Sequence, residues 1–421
     1  MTAQQKQSNL IGIITMIFLF GMISFVTNLA APIGTIWKEN PNYQSLGMLG
    51  NMMNFLAYLV MGIPAGRMLN KFGYKKTALA AIAVGFVGIF VQFLSGKTGA
   101  SGFYVYLLGA FIAGFCVCML NTVVNPMLTI LGGGGNKGNA LLQAGGGFNS
   151  LMATLTPMMV MSMIGEASKA AISDVNPLLY IAMGVFALTF IILLFIPIKE
   201  IHKKENVSFE RSPWAFRHFT LGTIAIFCYV GVEVAIPGIL LFWLKTAAGL
   251  PIETAAATAG FVAGTYWFLM MIGRFIGGAI GSKVSAKTMM VFTTAVAAIL
   301  VIAAIFSSSV QTSMPVFTGR AFTMAQVPLS ALLLVLCGLC TSVMWGAIFN
   351  IATDGLGKYT PLASGIFMMM VVGGGVIPQV QEWLAKAVGY MSSYWLIVAA
   401  LLYMFLYALI GSKNVNKDIA V

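Results

Sequence analysis

The chain alternates between long apolar runs and short polar or charged segments along its whole length. A helix needs about 20 mostly apolar residues to cross the hydrocarbon core of a bilayer. Runs bounded by charges and turn residues predict twelve such helices. The predicted spans are 10–33, 46–66, 77–96, 103–131, 140–165, 178–198, 219–246, 254–281, 288–308, 325–353, 362–388 and 393–412.

The runs are too long for the strands of a membrane β-barrel, which would alternate apolar and polar residues over about ten positions. The first run is also too long for a cleavable signal peptide, and eleven more runs follow it. The pattern therefore predicts an all-α membrane protein.

Basic residues are divided unevenly between the two sets of connecting segments. With the N-terminus inside, 16 of the 23 lysines and arginines fall in cytoplasmic segments, six fall in outer segments and Arg274 lies within a span. Because positively charged loops stay on the cytoplasmic side, both termini are predicted to be cytoplasmic. The net charge of +12 then reflects topology and does not indicate a nucleic-acid partner.

The most charged stretch of the chain, residues 199–218, falls between the sixth and seventh predicted spans. It contains His202 and His218, which lie among charged residues in a solvated or interfacial segment. This setting does not favour a catalytic or metal-binding role for them. We therefore predict a six-helix bundle over 1–198, a cytoplasmic linker over 199–218 and a second six-helix bundle over 219–421.

The two halves share motifs at corresponding places. A helix end rich in small residues runs into a basic turn at 66–76 and again at 277–287. A lysine and then three consecutive glycines follow a helix end at 129–147 and again at 353–375. Two matches in the same order predict duplicated bundles with a substrate site between them near mid-membrane, as in secondary transporters.

Composition narrows the function further. Only 8% of the residues are charged and 59% are apolar, which excludes a soluble enzyme, a nucleic-acid binder and a disordered chain. The five cysteines lie in apolar runs and are predicted to be packing residues. The glycines at 132–135 are not followed by the Gly-Lys-Ser/Thr of a phosphate loop, so a nucleotide-driven pump is not indicated. No cofactor and no metal site is predicted.

One acidic residue, Glu233, falls near the centre of a span. A carboxylate at that depth costs several kcal/mol unless it is protonated, paired or hydrated. It either bonds a neighbouring helix in its protonated form or lines an aqueous cavity, and the pattern favours the cavity. With no base at mid-depth, the predicted solute is neutral and polar.

Amide and aromatic side chains recur within the spans, and such groups bind neutral hydroxylated ligands. For any single amide, a hydrogen bond between helices is an equally good explanation. With Glu233, the predicted substrate-binding residues are Asn28, Asn121, Asn125, Gln143, Asn149, Tyr266, Trp267, Trp345, Asn350 and Gln379.

Three residues are predicted to act at an inner gate. Arg274 lies about two turns before the cytoplasmic end of the eighth span, and Asp354 ends the tenth span on the same side. We expect the two to pair and latch the gate, the alternative being an Arg274 that snorkels to solvent. Arg67, at the cytoplasmic end of the second span, is the third.

Seven segments carry recognisable motifs. They lie at 121–126, 131–132 and 148–150 in the first half, and at 229–234, 273–277, 355–360 and 373–383 in the second. In order and spacing, and over nearly the whole chain, they resemble the major facilitator superfamily and, more narrowly, its fucose–galactose–glucose:proton symporter family. The resemblance implies a twelve-helix alternating-access carrier of monosaccharides, monomeric and surrounded by lipid in a bacterial cytoplasmic membrane, with a proton or sodium ion as coupling partner.

The chain departs from that family where protons are handled. The resemblance implies acids in the first and fourth spans, and here those places hold Ala31 and Asn121. The family's glutamine in the fifth span is Gly146, whereas its asparagine is kept as Asn149. Glu233 is therefore the predicted coupling residue.

The leading prediction is a secondary active importer of a neutral monosaccharide or sugar derivative, coupled to a cation. The alternatives are a sugar uniporter or sodium-linked carrier, a polyspecific drug exporter, and a non-transporting membrane sensor. A drug exporter would need a greasier cavity with more acids, and no catalytic constellation supports an enzyme.

Overall fold

The computed structural model describes residues 3–38, 49–164, 172–196, 198, 211–246, 252–317 and 322–416. The predicted boundary between the two halves lies mostly outside these ranges, so the predicted domain limits stay a prediction. The α-helices are α1 (Ala3–Lys38), α2 (Leu49–Ser95), α3 (Gly102–Leu131), α4 (Gly135–Ile164), α5 (Asn176–Phe195), α6 (Arg217–Thr246), α7 (Ile252–Ile280), α8 (Ala286–Phe306), α9 (Leu329–Thr341), α10 (Met344–Thr353), α11 (Thr360–Met369), α12 (Gly373–Val388), α13 (Tyr390–Ser393) and α14 (Trp395–Leu406). The strands are β1 (Gln311–Phe317) and β2 (Phe322–Pro328).

Within the described residues, ten helical segments are long and apolar enough to cross a membrane. One of them, Met52–Ser95, has 44 residues and breaks at Gly73. Gly73 has a φ of 82°, which glycine adopts at little cost, so a single residue separates the second and third predicted spans. Helix α4 covers most of the fifth predicted span. The helices form two six-helix bundles and are consistent with twelve passes.

A β-hairpin interrupts the helices before the tenth span. Residues 325–328 belong to β2, which pairs antiparallel with β1, and the following helix begins at Leu329. In β1, Met314 and Val316 are buried while Pro315 between them is exposed, the period of two of a half-buried strand. The predicted span 325–353 therefore began four residues too early, and the all-α prediction omitted this hairpin.

In each half of the chain, a lysine donates a hydrogen bond to a carbonyl near the end of the last helix. Lys75, just after the Gly73 break, donates from Nζ to the carbonyl oxygen of Leu194 at 2.8 Å. Lys287, at the start of α8, donates to the carbonyl oxygen of Leu409 at 3.0 Å. The paired contacts occupy equivalent places in the two predicted repeats. We call the end of the molecule that carries these lysines the basic end.

The bundles meet toward the basic end along two lines of small residues. Where α2 crosses α11, a Cβ added to Gly62 would lie 2.6 Å from the carbonyl oxygen of Gly365, and one added to Gly66 would lie 3.1 Å from the Cα of Gly365. We call this contact the glycine seam. Where α4 crosses α7, a Cβ added to Gly278 would lie 3.2 Å from the backbone nitrogen of Ala144. Small residues let membrane helices approach this closely.

Candidate functional site

A cavity of about 230 Å³ lies between the two bundles. One wall comes from α1 to α4 and the other from α6, α7 and α10. Its polar lining residues are Ser24, Thr27, Asn28, Tyr58, Asn121, Gln143, Asn149, Ser150, Glu233 and Arg274. Its aromatic lining residues are Phe20, Phe55, Trp267 and Trp345.

An ion pair stands in this cavity. The Nη2 atom of Arg274 donates to Oε1 of Glu233 at 2.9 Å, and the two side chains are 9% and 13% exposed. Pro237, one turn after Glu233, has no N–H, so the carbonyl of Glu233 loses its helical partner and α6 can bend there. The pair places a positive and a negative charge side by side, so the cavity carries no net charge.

The same guanidinium also binds the other bundle. Its Nη1 atom donates to Oγ of Ser150 at 2.7 Å, to the carbonyl oxygen of Gly146 at 3.2 Å and to Oδ1 of Asn149 at 3.4 Å. We call this set of contacts between Arg274 and α4 the arginine seam. A Cβ added to Gly146 would touch Cδ of Arg274 at 3.4 Å, so the arginine lies against the position where the resembled family has glutamine.

A helix break in the second bundle supplies further acceptors. Helices α9 and α10 are separated at Ser342 and Val343, and interrupted backbone within a membrane is tolerated where it is buried in protein or lines a cavity. The carbonyl oxygen of Ser342 accepts from Nε of Arg274 at 3.3 Å. The carbonyl oxygen of Val343 accepts from Nε2 of Gln143 at 2.6 Å, a second bond between the bundles.

These positions correct the predicted inner gate. Arg274 contacts Glu233 and does not reach Asp354, which is exposed at the end of α10 and accepts a 3.0 Å contact from His218 through its carbonyl. Arg67 is exposed on α2 and does not line the cavity. The expectation of no base at mid-depth is also wrong, because Arg274 lies beside Glu233. The cavity is electrically neutral through pairing.

Seven of the predicted substrate-binding residues line the cavity: Asn28, Asn121, Gln143, Asn149, Glu233, Trp267 and Trp345. Their amides are held by the protein. Asn28 donates to the carbonyl oxygen of Ser24 at 2.8 Å, Asn121 to the hydroxyl of Tyr58 at 2.7 Å and Asn149 to the carbonyl oxygen of Phe20 at 2.8 Å. The amide oxygens of Asn28 and Gln143 accept no hydrogen bond among the described contacts, which suits them to a ligand.

The other four predicted residues do not line the cavity. Asn125 lies behind its wall and accepts from Nε1 of Trp345 at 2.9 Å, and Tyr266 bonds the hydroxyl of Thr341 at 2.8 Å. Asn350 reaches the carbonyl oxygen of Gly135 at 3.4 Å, and Gln379 is exposed beside Glu382. Asn125, Tyr266 and Asn350 lie on helices that border the cavity but on faces turned away from it, and Gln379 lies on α12, which contributes no lining residue.

Several lining residues were missed in the sequence, above all Tyr58, Ser24, Thr27 and Ser150. Ser24 and Thr27 precede Asn28 by four and one positions, and residues four apart share a helix face. Starting from Asn28, a search for polar neighbours one turn earlier finds Ser24. Tyr58 carries no such signal, because aromatic residues at helical spacing are common in any core.

Comparisons with known proteins agree with this geometry. The chain matches the Major Facilitator Superfamily over residues 13–377. It is 30% identical to a glucose/galactose transporter of Brucella abortus over 431 residues, covering 98% of this chain and 97% of the relative. It is 23% identical to an L-fucose-proton symporter of Escherichia coli over 386 residues, covering 85% of this chain and 82% of the relative.

The fold has a counterpart among solved structures. The crystal structure of the transporter FucP in the outward conformation matches with a TM-score of 0.80 at 19% identity, covering 97% of this chain and 100% of that one. The protein is accordingly a multi-pass membrane transporter and not an enzyme. On the match over most of its length, the chain belongs to the Major Facilitator Superfamily.

Proposed function

We propose that this protein imports a neutral monosaccharide or sugar derivative by alternating access, coupled to a cation. The observation that carries the proposal is a cavity lined by amides, hydroxyls and tryptophans around a neutral ion pair. A monosaccharide offers hydroxyl groups to the amides and apolar ring faces to the tryptophans. The relatives named for glucose, galactose and L-fucose support this class.

The size of the cavity supports a small solute. Pockets for drug-sized ligands usually have volumes of about 300–1,000 Å³. The cavity here, at about 230 Å³, is smaller than that range. A polyspecific exporter needs a larger cavity, so the size of this one favours a sugar.

We further propose that the basic end faces the cytoplasm of a bacterium, with both termini inside. The glycine and arginine seams then close the cytoplasmic side of the cavity. A reporter fused at residue 418 should be cytoplasmic, and an external signal there would overturn this orientation. The proposed limits of the bundles, 1–198 and 219–421 with a linker between them, follow from the same topology.

Glu233 is the proposed coupling residue. Deprotonated, it neutralises Arg274, which at the same time binds Gly146 and Ser150 of the other bundle. Protonation removes the carboxylate charge, and Arg274 is left with neutral acceptors. A buried guanidinium without a charged partner is costly, so protonation destabilises the closed arrangement that buries Arg274. Proton binding from outside therefore favours opening of the cytoplasmic side. Asn121, at a place where the resembled family has an acid, cannot do this.

One experiment separates the coupling modes. Radiolabelled D-galactose, D-glucose and L-fucose are offered to proteoliposomes under an imposed pH gradient and then a sodium gradient. Concentrative uptake driven by the pH gradient supports proton symport, and uptake driven only by sodium replaces the proton with sodium. Sugar that equilibrates but never accumulates indicates a uniporter, and no uptake of any sugar overturns the proposal.

Glu233→Gln sharpens the test, because the amide resembles the protonated carboxyl. We expect it to abolish accumulation under a pH gradient while sugar exchange continues. Glu382→Gln is the matched control, since Glu382 is a partly exposed residue of α12, away from the cavity, and pairs with Lys386 at 3.3 Å. This variant should accumulate sugar like the unmodified protein. Unchanged accumulation in Glu233→Gln would remove Glu233 from the coupling step.

The specific case for a uniporter is that Glu233 is already held by Arg274 at 2.9 Å and that Ala31 and Asn121 replace acids. Glu233 is the one acid among the residues that line the cavity, and it is engaged in the ion pair, which favours facilitated diffusion. The gradient experiment decides between the two.

A further inference from the structure

A continuous chain of hydrogen bonds joins Trp345 in one bundle to Tyr58 in the other. Nε1 of Trp345 donates to Oδ1 of Asn125 at 2.9 Å, Nδ2 of Asn125 donates to Oδ1 of Asn121 at 3.2 Å, and Nδ2 of Asn121 donates to the hydroxyl of Tyr58 at 2.7 Å. Trp345, Asn121 and Tyr58 line the cavity, whereas Asn125 is fully buried behind it.

The direction of this chain is fixed by chemistry. An indole nitrogen can only donate, so the group that faces Trp345 must be the oxygen of the Asn125 amide. The Asn125 nitrogen then points at Asn121 and also donates to its carbonyl oxygen at 2.7 Å. The Asn121 amide is oriented in turn, with its nitrogen toward Tyr58 and the carbonyl of Val117 at 3.2 Å. Reversing either amide would set like groups against each other.

Each end of the chain presents a group to the cavity. The hydroxyl oxygen of Tyr58 accepts from Asn121, so its proton is left to donate, and no described residue receives it. At the other end the ring of Trp345 meets Tyr229 and Phe367 edge-on, with ring centroids 6.2 Å and 6.3 Å away. The hydrogen bond to Asn125 restrains rotation of the Trp345 ring about its side-chain torsions.

We propose that Asn125 is a positioning residue for ligand binding: across the two bundles it orients the Trp345 ring and, through Asn121, the Tyr58 hydroxyl. The ligand that fits has an apolar ring face for Trp345 and an acceptor oxygen for Tyr58, which deepens the proposed sugar function and rests on it. Asn125 itself touches no ligand.

The variant that tests this is Asn125→Leu, which keeps the shape of the side chain and removes both polar groups. Thr122→Val is the matched control, because Thr122 is equally buried on α3 and bonds only the carbonyl of Cys118 in its own helix. With D-galactose as the probe, we expect Asn125→Leu to weaken equilibrium binding by about tenfold and Thr122→Val by less than about twofold.

A second readout needs no sugar. In protein labelled with 5-fluorotryptophan, the ¹⁹F resonance of Trp345 is assigned by its loss in Trp345→Phe. It should shift in Asn125→Leu and stay in place in Thr122→Val. A resonance that does not move in Asn125→Leu overturns the positioning role, whether or not a sugar binds.

A third arm removes the groups on which Asn125 acts. In the double variant Tyr58→Phe/Trp345→Phe, adding Asn125→Leu should change the affinity by less than about twofold. A further loss as large as in the unmodified background shows that Asn125 acts by another route and overturns the proposal. If unmodified protein binds none of the three sugars, the proposed function fails, while the fluorine spectrum still decides whether Asn125 positions Trp345.

Discussion

The glycine seam and the arginine seam both join the two bundles and are related by the repeat of the predicted spans. They are held together by different interactions. In the glycine seam, backbone of α2 meets backbone of α11 at Gly62, Gly66 and Gly365, and the contacts are van der Waals contacts. In the arginine seam, α4 and α7 also meet through small residues, but Arg274 adds charged hydrogen bonds to Gly146 and Ser150.

The difference separates a constant contact from an adjustable one. Contact between backbones depends on shape, and neither a proton nor a ligand in the cavity changes it. The arginine seam holds a buried guanidinium, and Glu233 in the cavity balances the charge of that guanidinium while it is deprotonated. A change of protonation in the cavity is therefore expected to alter the contact between α4 and α7, while the contact between α2 and α11 stays the same.

The largest expected effect comes from Arg274→Met. It removes one partner of a buried pair and leaves Glu233 uncompensated, which should lower the free energy of unfolding by about 3–5 kcal/mol. The midpoint of thermal unfolding in detergent measures it. Adding Glu233→Gln to Arg274→Met removes the stranded charge and should restore part of the loss. A double variant no more stable than Arg274→Met would show that Arg274 does not serve to balance Glu233.

Gly62→Ala should break the other seam. The added methyl would lie 2.6 Å from the carbonyl oxygen of Gly365, and overpacking of this kind costs about 1–3 kcal/mol. Gly184→Ala is the control, since a Cβ there meets nothing within 4 Å. The loss in Gly62→Ala should be equal at mildly acidic and neutral pH, because no titratable side chain lies at this contact. A loss that varies with pH would end the distinction between the two seams.

The smallest effect is expected from Asn149→Ala, which removes one weak contact to Arg274 at 3.4 Å and one lining amide. Sugar binding, measured by equilibrium titration, should weaken by about 0.5–1.5 kcal/mol with normal expression. Asn414→Ala, at the basic end, is the amide control and should bind sugar normally. An unchanged isotherm for Asn149→Ala would mean that this amide only holds the helices together.

Hydropathy predicted the passage of the chain through the membrane, because a span is defined by length and apolarity alone. The hairpin was not predicted because Met314 and Val316 alternate with Ser313, Pro315 and Phe317. This is not a clear apolar–polar alternation, and it covers too few residues to stand out beside a long apolar run. The single-residue break at Gly73 was not predicted for another reason. A basic turn reads as a loop in the sequence, while in the structure helix continues on both sides of one glycine.

For the site, hydropathy predicts the depth of each residue along its helix but not the direction in which its side chain points around the helix axis. Asn125 and Asn121 are one turn apart, and only Asn121 lines the cavity. Arg274 lies about 9 Å from the end of α7, which the sequence showed, but its partner could not be chosen from depth alone. Glu233 and Asp354 were both within reach, and only the packing of α6 against α7 decides for Glu233.

The neutrality of the Arg274–Glu233 pair has an electrical consequence. A membrane potential does work only on displaced net charge, about 2.3 kcal/mol per elementary charge for each 100 mV. An empty carrier with the pair intact would return without sensing the potential. Protonating Glu233 leaves the positive charge of Arg274 unbalanced, and an inside-negative potential then drives the loaded carrier inward. In the proposed cycle, the membrane potential would thus accelerate the inward step of the protonated, sugar-loaded carrier and would not oppose the return of the empty carrier.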